Sequence, residues 1–271
     1  MSLFVKDAPT KQDIGQAEKF NSTVFIPSAF KFLSAHNGLR PRSSHMLVGT
    51  TGCGKSRLLQ SIIAEVSQTQ KCLVWLSEDD TAQYVNSMDR NVKISYRPEN
   101  LKFINERDLP DKVFDTQARF FSFFKDSIVE ANADAVFIDN VTTSYFYADE
   151  VGTRGQGLAA KFIQKVAPLL DVVMVYVTHT MSKVKDNQKD FISIEDVRGN
   201  RRIANESEYA YVLQKVIAGG TQYVLLRTSK HRHHDVKEKV YLLDYRYGAY
   251  VGDIEIPFSE VKKLFKSRDV L

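Results

Sequence analysis

Residues 46–66 read MLVGTTGCGKSRLLQSIIAEV. Within this stretch Gly49, Thr50, Thr51, Gly52, Cys53, Gly54, Lys55 and Ser56 spell G-x-x-x-x-G-K-[ST] without a mismatch. An apolar run precedes the glycines and an amphipathic run follows them, as a strand, a tight loop and a helix require. Glycine lets the backbone wrap close to a phosphate and turn its N–H groups inward. The following helix offers its N-terminus to the same anion. Lys55 is therefore expected to reach the outer phosphates of ATP, and Ser56 to hold Mg²⁺. Arg57 joins the loop as a further candidate nucleotide contact.

Outward from this loop, apolar runs alternate with amphipathic ones. Strands are predicted at His45–Val48, Cys72–Leu76, Ala135–Ile138, Val172–Val177, Tyr209–Leu213, Tyr223–Arg227 and Val240–Asp244. Helices are predicted at Lys55–Gln68, Thr81–Met88, Thr116–Ala131 and Gly157–Leu170. The first four strands are short, apolar and separated by helices, which implies a buried parallel sheet. The last two read as an antiparallel extension. The expected class is α/β, a mainly parallel sheet flanked by helices with C-terminal hairpins.

The bulk numbers fit one large domain. The chain has 271 residues, 43% hydrophobic and 26% charged, which excludes a disordered or membrane-embedded class. No apolar run reaches the roughly 18 residues a spanning helix needs. The N-terminal stretch lacks the apolar core of a signal peptide. Cys53 and Cys72 are too few for a disulfide framework, which fits a reducing cytoplasm. The net charge of +4 permits a nucleic-acid partner without demanding one. Three segments are expected: a polar arm at 1–23, an ATPase domain at 24–252, and a basic tail or helix at 253–271.

A nucleotide hydrolase needs carboxylates beside its phosphate loop. Residues 133–140, ADAVFIDN, close an apolar strand with Asp139, on the ligand side of a parallel sheet. Asp139 is the candidate for ordering Mg²⁺. Residues 72–80, CLVWLSEDD, close another strand with Glu78, Asp79 and Asp80. If that strand lies beside the phosphate-loop strand, Glu78 polarises the attacking water.

The order of these motifs resembles the RecA-like ATPase core of DnaB-type and phage ring-shaped replicative helicases, over roughly residues 24–252. Residues 37–49, NGLRPRSSHMLVG, are similar to the family's G-L-x-P-G lead-in, with Arg42 in place of its final glycine. VWLSEDD looks like the strand that carries the family's catalytic glutamate, which by this match is Glu78. Residues 172–213 are similar to a strand ending in His or Gln, a basic loop and a D-x-R-G segment. By that match His179 senses the γ-phosphate. Lys183, Lys185, Lys189, Arg198, Arg201 and Arg202 track a nucleic-acid backbone. Asp196, Arg198 and Gly199 match D-x-R-G, while Asn200 and Arg201 depart from the usual small residues. Residues 223–251 contain Lys230 and Arg232, similar to the family's K-x-R, which in ring helicases reaches the ATP of the neighbouring subunit. An arginine so placed stabilises charge on the transferring phosphoryl group.

The resemblance implies an ATP- and Mg²⁺-dependent helicase or translocase on single-stranded DNA, with RNA as an alternative, working as a hexameric homo-oligomer. Only about 23 residues precede the motor-like region, so a ring is expected to close through motor contacts, the short arm, or a partner protein that replaces the family's N-terminal collar. The expected location is the cytoplasm, that of the host if the chain is viral. Competing expectations are a genome-packaging or recombinase ATPase on the same core, and a non-motor regulator or loader that uses ATP as an assembly switch. His231, His233 and His234 suggest a metal site, but adjacent strand residues face opposite ways and no further ligand motif accompanies them. They are expected to make turn, interface or backbone contacts.

Overall fold

The computed structural model of the chain describes residues 25–91, 96–147, 152–181, 192–197, 202–232, 238–246 and 248–268. Residues 1–23, Lys183, Lys185, Lys189, Arg198, Arg201, His233 and His234 lie outside the described residues.

Apolar residues two apart along a strand face the same side, so a run apolar at every position needs cover on both sides. The strands β1 (Ser44–Gly49), β2 (Cys72–Leu76), β4 (Ala135–Asp139) and β5 (Val173–His179) are of this kind and are almost wholly buried. Leu47, Val74, Phe137 and Val175 point to one face, where they pack on α2 (Lys55–Val66) and α3 (Thr81–Asn91) through Leu59, Ile62, Ile63, Tyr84 and Met88. Met46, Val48, Trp75, Ile138 and Tyr176 point to the other. There they pack on α4 (Gln117–Ala131) and α5 (Gly152–Leu170), with Phe120, Phe124 and Ile163 in contact.

Two more strands complete the first half of the sheet or join it to the second. They are β3 (Leu101–Asn105) and β6 (Tyr209–Ala218), and the order at this end is β3-β2-β4-β5-β1-β6, all parallel. The order then continues β6-β7-β8-β9 with antiparallel pairing, where β7 is Thr221–His231, β8 Val240–Arg246 and β9 Ala249–Ile256. The protein is therefore α/β, with a mostly parallel central sheet and an antiparallel C-terminal series. A short helix α1 (Lys31–Ser34) packs on β9, α6 (Arg202–Glu206) precedes β6, and α7 (Phe258–Lys266) closes the described chain.

Two strands were not predicted. β3 is a sheet edge, only partly buried, and Lys102 interrupts its apolar pattern. β9 contains Gly252 and Asp253, both poor strand formers. Asp253 is nevertheless 5% exposed, because its carboxylate accepts the N–H groups of Lys31 (2.5 Å) and Phe32 (2.9 Å) at the start of α1. β9 runs across the boundary expected after residue 252, and only α7 beyond it is a separate element.

Candidate functional site

Parallel strands bring their carboxyl ends to one edge. In register, Gly49 of β1 stands beside His179 of β5, and Asp139 of β4 beside Leu76 of β2. The loop from Gly49 to Lys55 rises from this edge. A side chain on Gly49 would place its Cβ 2.6 Å from the Leu213 carbonyl oxygen, so β6 lies too close for one. Gly54 has φ +100°, and a Cβ there would meet the Tyr250 hydroxyl at 2.2 Å. The tight path of the chain needs glycine at both.

Lys55 is 3% exposed, and its ammonium donates to the carbonyls of Gly49 (2.9 Å) and Thr50 (2.6 Å). α2 begins on Gly54 without a side-chain cap, so its first amides and the positive end of its dipole face the loop. Ser56 Oγ donates to Asp139 Oδ1 at 3.1 Å. Asp139 is 5% exposed, and its other oxygen, Oδ2, is buried with the Tyr84 hydroxyl as its neighbouring donor. Burial pushes its carboxyl from 3.8 up to about 7; the Ser56 hydrogen bond opposes this, Asp79 and Glu78 add to it, and Lys55 opposes it. A carboxylate charge held in the interior is costly. A divalent cation next to Ser56 and Asp139 would remove that cost, so these residues fit Mg²⁺ carried by a nucleotide.

The acidic run after β2 separates into distinct roles. β2 does not lie beside β1, contrary to the arrangement considered for Glu78. β4 and β5 intervene, which sets the two strands three spacings, about 14 Å, apart. Glu78 is exposed at the same edge, near enough to Asp139 to raise its affinity for a proton. Burial, then the neighbouring Glu78 charge, raises Asp79, and Arg107 pulls it back. Asp80 caps α3, accepting from the amides of Ala82 (2.8 Å) and Gln83 (3.2 Å).

His179 sits at the end of β5 with its ring between the loop and Asn140. Nδ1 lies 3.4 Å from Thr51 Oγ1, and Nε2 lies 3.1 Å from Asn140 Nδ2. Asn140, Ser77 and Thr143 were not singled out from the sequence. The only signal for Asn140 was its place directly after Asp139.

On the other side of the loop is a cavity of about 250 Å³ lined by Gly52, Cys53, Gly54, Arg57, Gln222, Tyr245 and Tyr250. The tyrosine rings are 5.2 Å apart, and the Arg57 guanidinium lies over Tyr245 at 5.6 Å, bonded to its hydroxyl. These tyrosines come from DYRYGAY, which marked a strand end in the sequence but gave no sign of where the hairpin folds.

Lys230 and Arg232 lie at the opposite edge. Lys230 pairs with Ala210, which pairs with Met46, three residues and about 10 Å down the strand from Gly49. Lys230 Nζ donates to the carbonyls of Ala204 (3.0 Å) and Asn205 (2.5 Å), and Arg232 Nη2 to Asn205 (3.0 Å). Burial, then Arg232, lowers the Lys230 ammonium to about 8, against the pull of Glu206 and Glu208. Neither cation meets the phosphate loop of its own chain. Arg202 is exposed at the start of α6. His231 packs on His36 (3.9 Å between rings), with Tyr209 and Tyr211 at 5.5 and 6.0 Å. Among the described residues no three His, Cys, Asp or Glu side chains form a metal-binding group, and no helix is long and apolar enough to cross a membrane. No protein-family model matches the chain, and no curated protein matches it.

Proposed function

We propose that the chain is a Mg²⁺-dependent ATPase with a RecA-like core, acting as an oligomeric motor on single-stranded nucleic acid. The observation that carries this reading is the Ser56–Asp139 hydrogen bond below a glycine loop, with the Asp139 carboxyl and the Lys55 ammonium both buried there. That set of donors and acceptors suits a nucleotide phosphate with its metal. In this reading Lys55 leaves the loop carbonyls for phosphate oxygens, and Ser56 and Asp139 hold Mg²⁺. The bound metal supplies charge neutralisation at those oxygens. Glu78 accepts the proton of the attacking water. Tyr245, Tyr250 and Arg57 stack on the base, and Gln222 offers hydrogen bonds to its edge. Lys230 and Arg232 serve the site of a second copy, because their own loop is at the other edge of the sheet.

The test is steady-state ATPase activity with and without single-stranded DNA, alongside Lys55→Ala. The expected result is DNA-stimulated turnover that Lys55→Ala reduces by at least about 100-fold. A monomer at all ATP concentrations, with no stimulation by any nucleic acid, overturns the motor reading. A second reading, an ATP-dependent assembly switch that hydrolyses poorly, is favoured by Glu78 being exposed and three strand spacings from β1. Tight ATP binding that changes the oligomeric state with turnover unaffected by Glu78→Gln would select it.

A further inference from the structure

We propose that Asn140 is a positioning residue that holds His179 as a neutral imidazole with its proton on Nδ1, facing Thr51 of the phosphate loop. The function of this device rests on the nucleotide-site reading above, but its geometry does not. Asn140 Oδ1 accepts from the backbone N–H of Thr143 (3.0 Å) and lies 3.1 Å from the Thr143 hydroxyl. A backbone N–H can only donate, so the amide oxygen must face Thr143 and the NH₂ must face His179. That NH₂ is a donor, and the ring nitrogen 3.1 Å away must therefore be the acceptor. An imidazole whose Nε2 accepts carries its proton on Nδ1. The Thr51 hydroxyl lies 3.4 Å from Nδ1, a long contact that a better acceptor displaces readily.

The backbone of Asn140 is braced by Ser77, the residue that follows β2. Asn140 N–H donates to Ser77 Oγ (3.0 Å), while Ser77 Oγ donates to Asn140 O (2.8 Å) or shares a proton with Thr143 Oγ1 at 2.8 Å. The Ser77 amide donates to the Asp139 carbonyl at 3.0 Å. The backbone N–H of His179 is tied to Thr142 Oγ1 at 3.0 Å. One short segment, 139–143, thus connects the residue before Glu78 to the ring at the loop. A doubly protonated ring would set N–H against N–H₂ at Asn140, and the fixed amide has no oxygen to offer there. His179 is thereby a neutral donor toward the loop, able to respond to an arriving anion without carrying a charge of its own.

The experiment is ¹⁵N NMR of the full chain with ring-labelled histidine, the His179 signals being assigned with His179→Gln. The wild type is expected to show a protonated Nδ1 and a bare Nε2 at pH 7.5. Asn140→Asp replaces the donor by an acceptor and is expected to move a proton onto Nε2. Asn140→Ala adds no charge near Asp139 and is expected to give a mixture of tautomers, which covers misfolding of the first variant. If the ATPase is active, Asn140→Ala is expected to lower kcat by at least about tenfold with KM for ATP changed less than about threefold. A wild-type ring protonated on Nε2, or an unchanged ring in both variants, overturns the proposal. An altered tautomer with unchanged kcat overturns the positioning role. The expected tautomers in a chain without ATPase activity would sink the nucleotide reading and leave this assignment standing.

Discussion

At the residue scale, two buried titratable groups make opposite demands on stability. Asp139 binds its proton near pH 7 in the folded chain and near 3.8 unfolded. Between those values the folded state holds a proton that the unfolded state has lost, so stability falls as pH rises through the window. The full effect is on the order of a few kcal/mol. His45 runs the other way. Burial first, then the charges of His231 and His36, lower it from 6.5 to about 3, and the Arg40 backbone opposes them. Its ring stacks on Tyr209 at 4.4 Å and lies within 3.0 Å of Ser43 Oγ and 3.3 Å of Tyr211 OH. The contribution of His45 is fully present above pH 6.5 and is lost as pH falls toward 3. The two windows overlap and nearly offset each other. Asp139→Asn is therefore expected to stabilise the nucleotide-free chain at pH 8 and to uncover a loss of stability below pH 6. The check is urea unfolding across pH 4–8. A variant no more stable than wild type at pH 8 would refute the burial cost assigned to Asp139. On the proposed nucleotide reading, Mg²⁺ with ATP stabilises the wild type and the same substitution removes that gain, separating function from fold.

At the element scale, the acids after β2 can be told apart by what each holds. Asp80 is the N-cap of α3, so Asp80→Ala is expected to cost about 1 kcal/mol in chemical unfolding and to leave ATPase activity within about twofold. Glu78→Gln is expected to do the reverse: unchanged stability and a loss of turnover of at least about 100-fold. If Asp80→Ala is the one that abolishes turnover, the roles are misassigned. The sequence could not make this distinction, because three consecutive acids differ only in which way the chain turns. Strands β1, β2, β4 and β5 were legible because burial on both faces forces continuous apolar runs, and the loop was legible because its glycines recur at fixed spacing. β3 and β9 were hidden by local polarity that distant partners explain, as with Asp253 and the amides of α1. Arg42, where the helicase resemblance expects glycine, has φ +63° and pairs with Asp171 at 3.0 Å. The sequence preserves the need for a left-handed turn there while supplying a residue that rarely adopts one. Strand order was the remaining gap: adjacency of β2 to β4, with the resulting distance of Glu78 from β1, depends on pairing that no local pattern encodes.

At the scale of the whole molecule, the sheet separates two halves of one proposed chemistry. The phosphate loop and Asp139 occupy the carboxyl edge, and Lys230 with Arg232 the other, tied for now to the last carbonyls of α6. On the proposed reading, a cation on that edge stabilises a transferring phosphoryl group in another copy, so a full site needs a second subunit. Arg232→Ala is expected to bind ATP within about threefold of wild type and to lose at least about 100-fold in turnover. Lys55→Ala is expected to be equally inactive through the other half-site. Mixed in equal amounts and allowed to exchange, the two should recover activity, because some junctions then pair an intact loop with an intact arginine. Random assembly sets the ceiling at about a quarter of the wild-type rate, with less if all sites must fire in turn. The measurement is ATPase activity against mixing ratio, with exchange verified by fluorescence transfer between labelled chains. Verified exchange without recovery would mean that Arg232 acts within its own subunit. In that case its grip on α6 is the function, and Lys230→Ala should reproduce the defect by loosening the same Asn205 carbonyl.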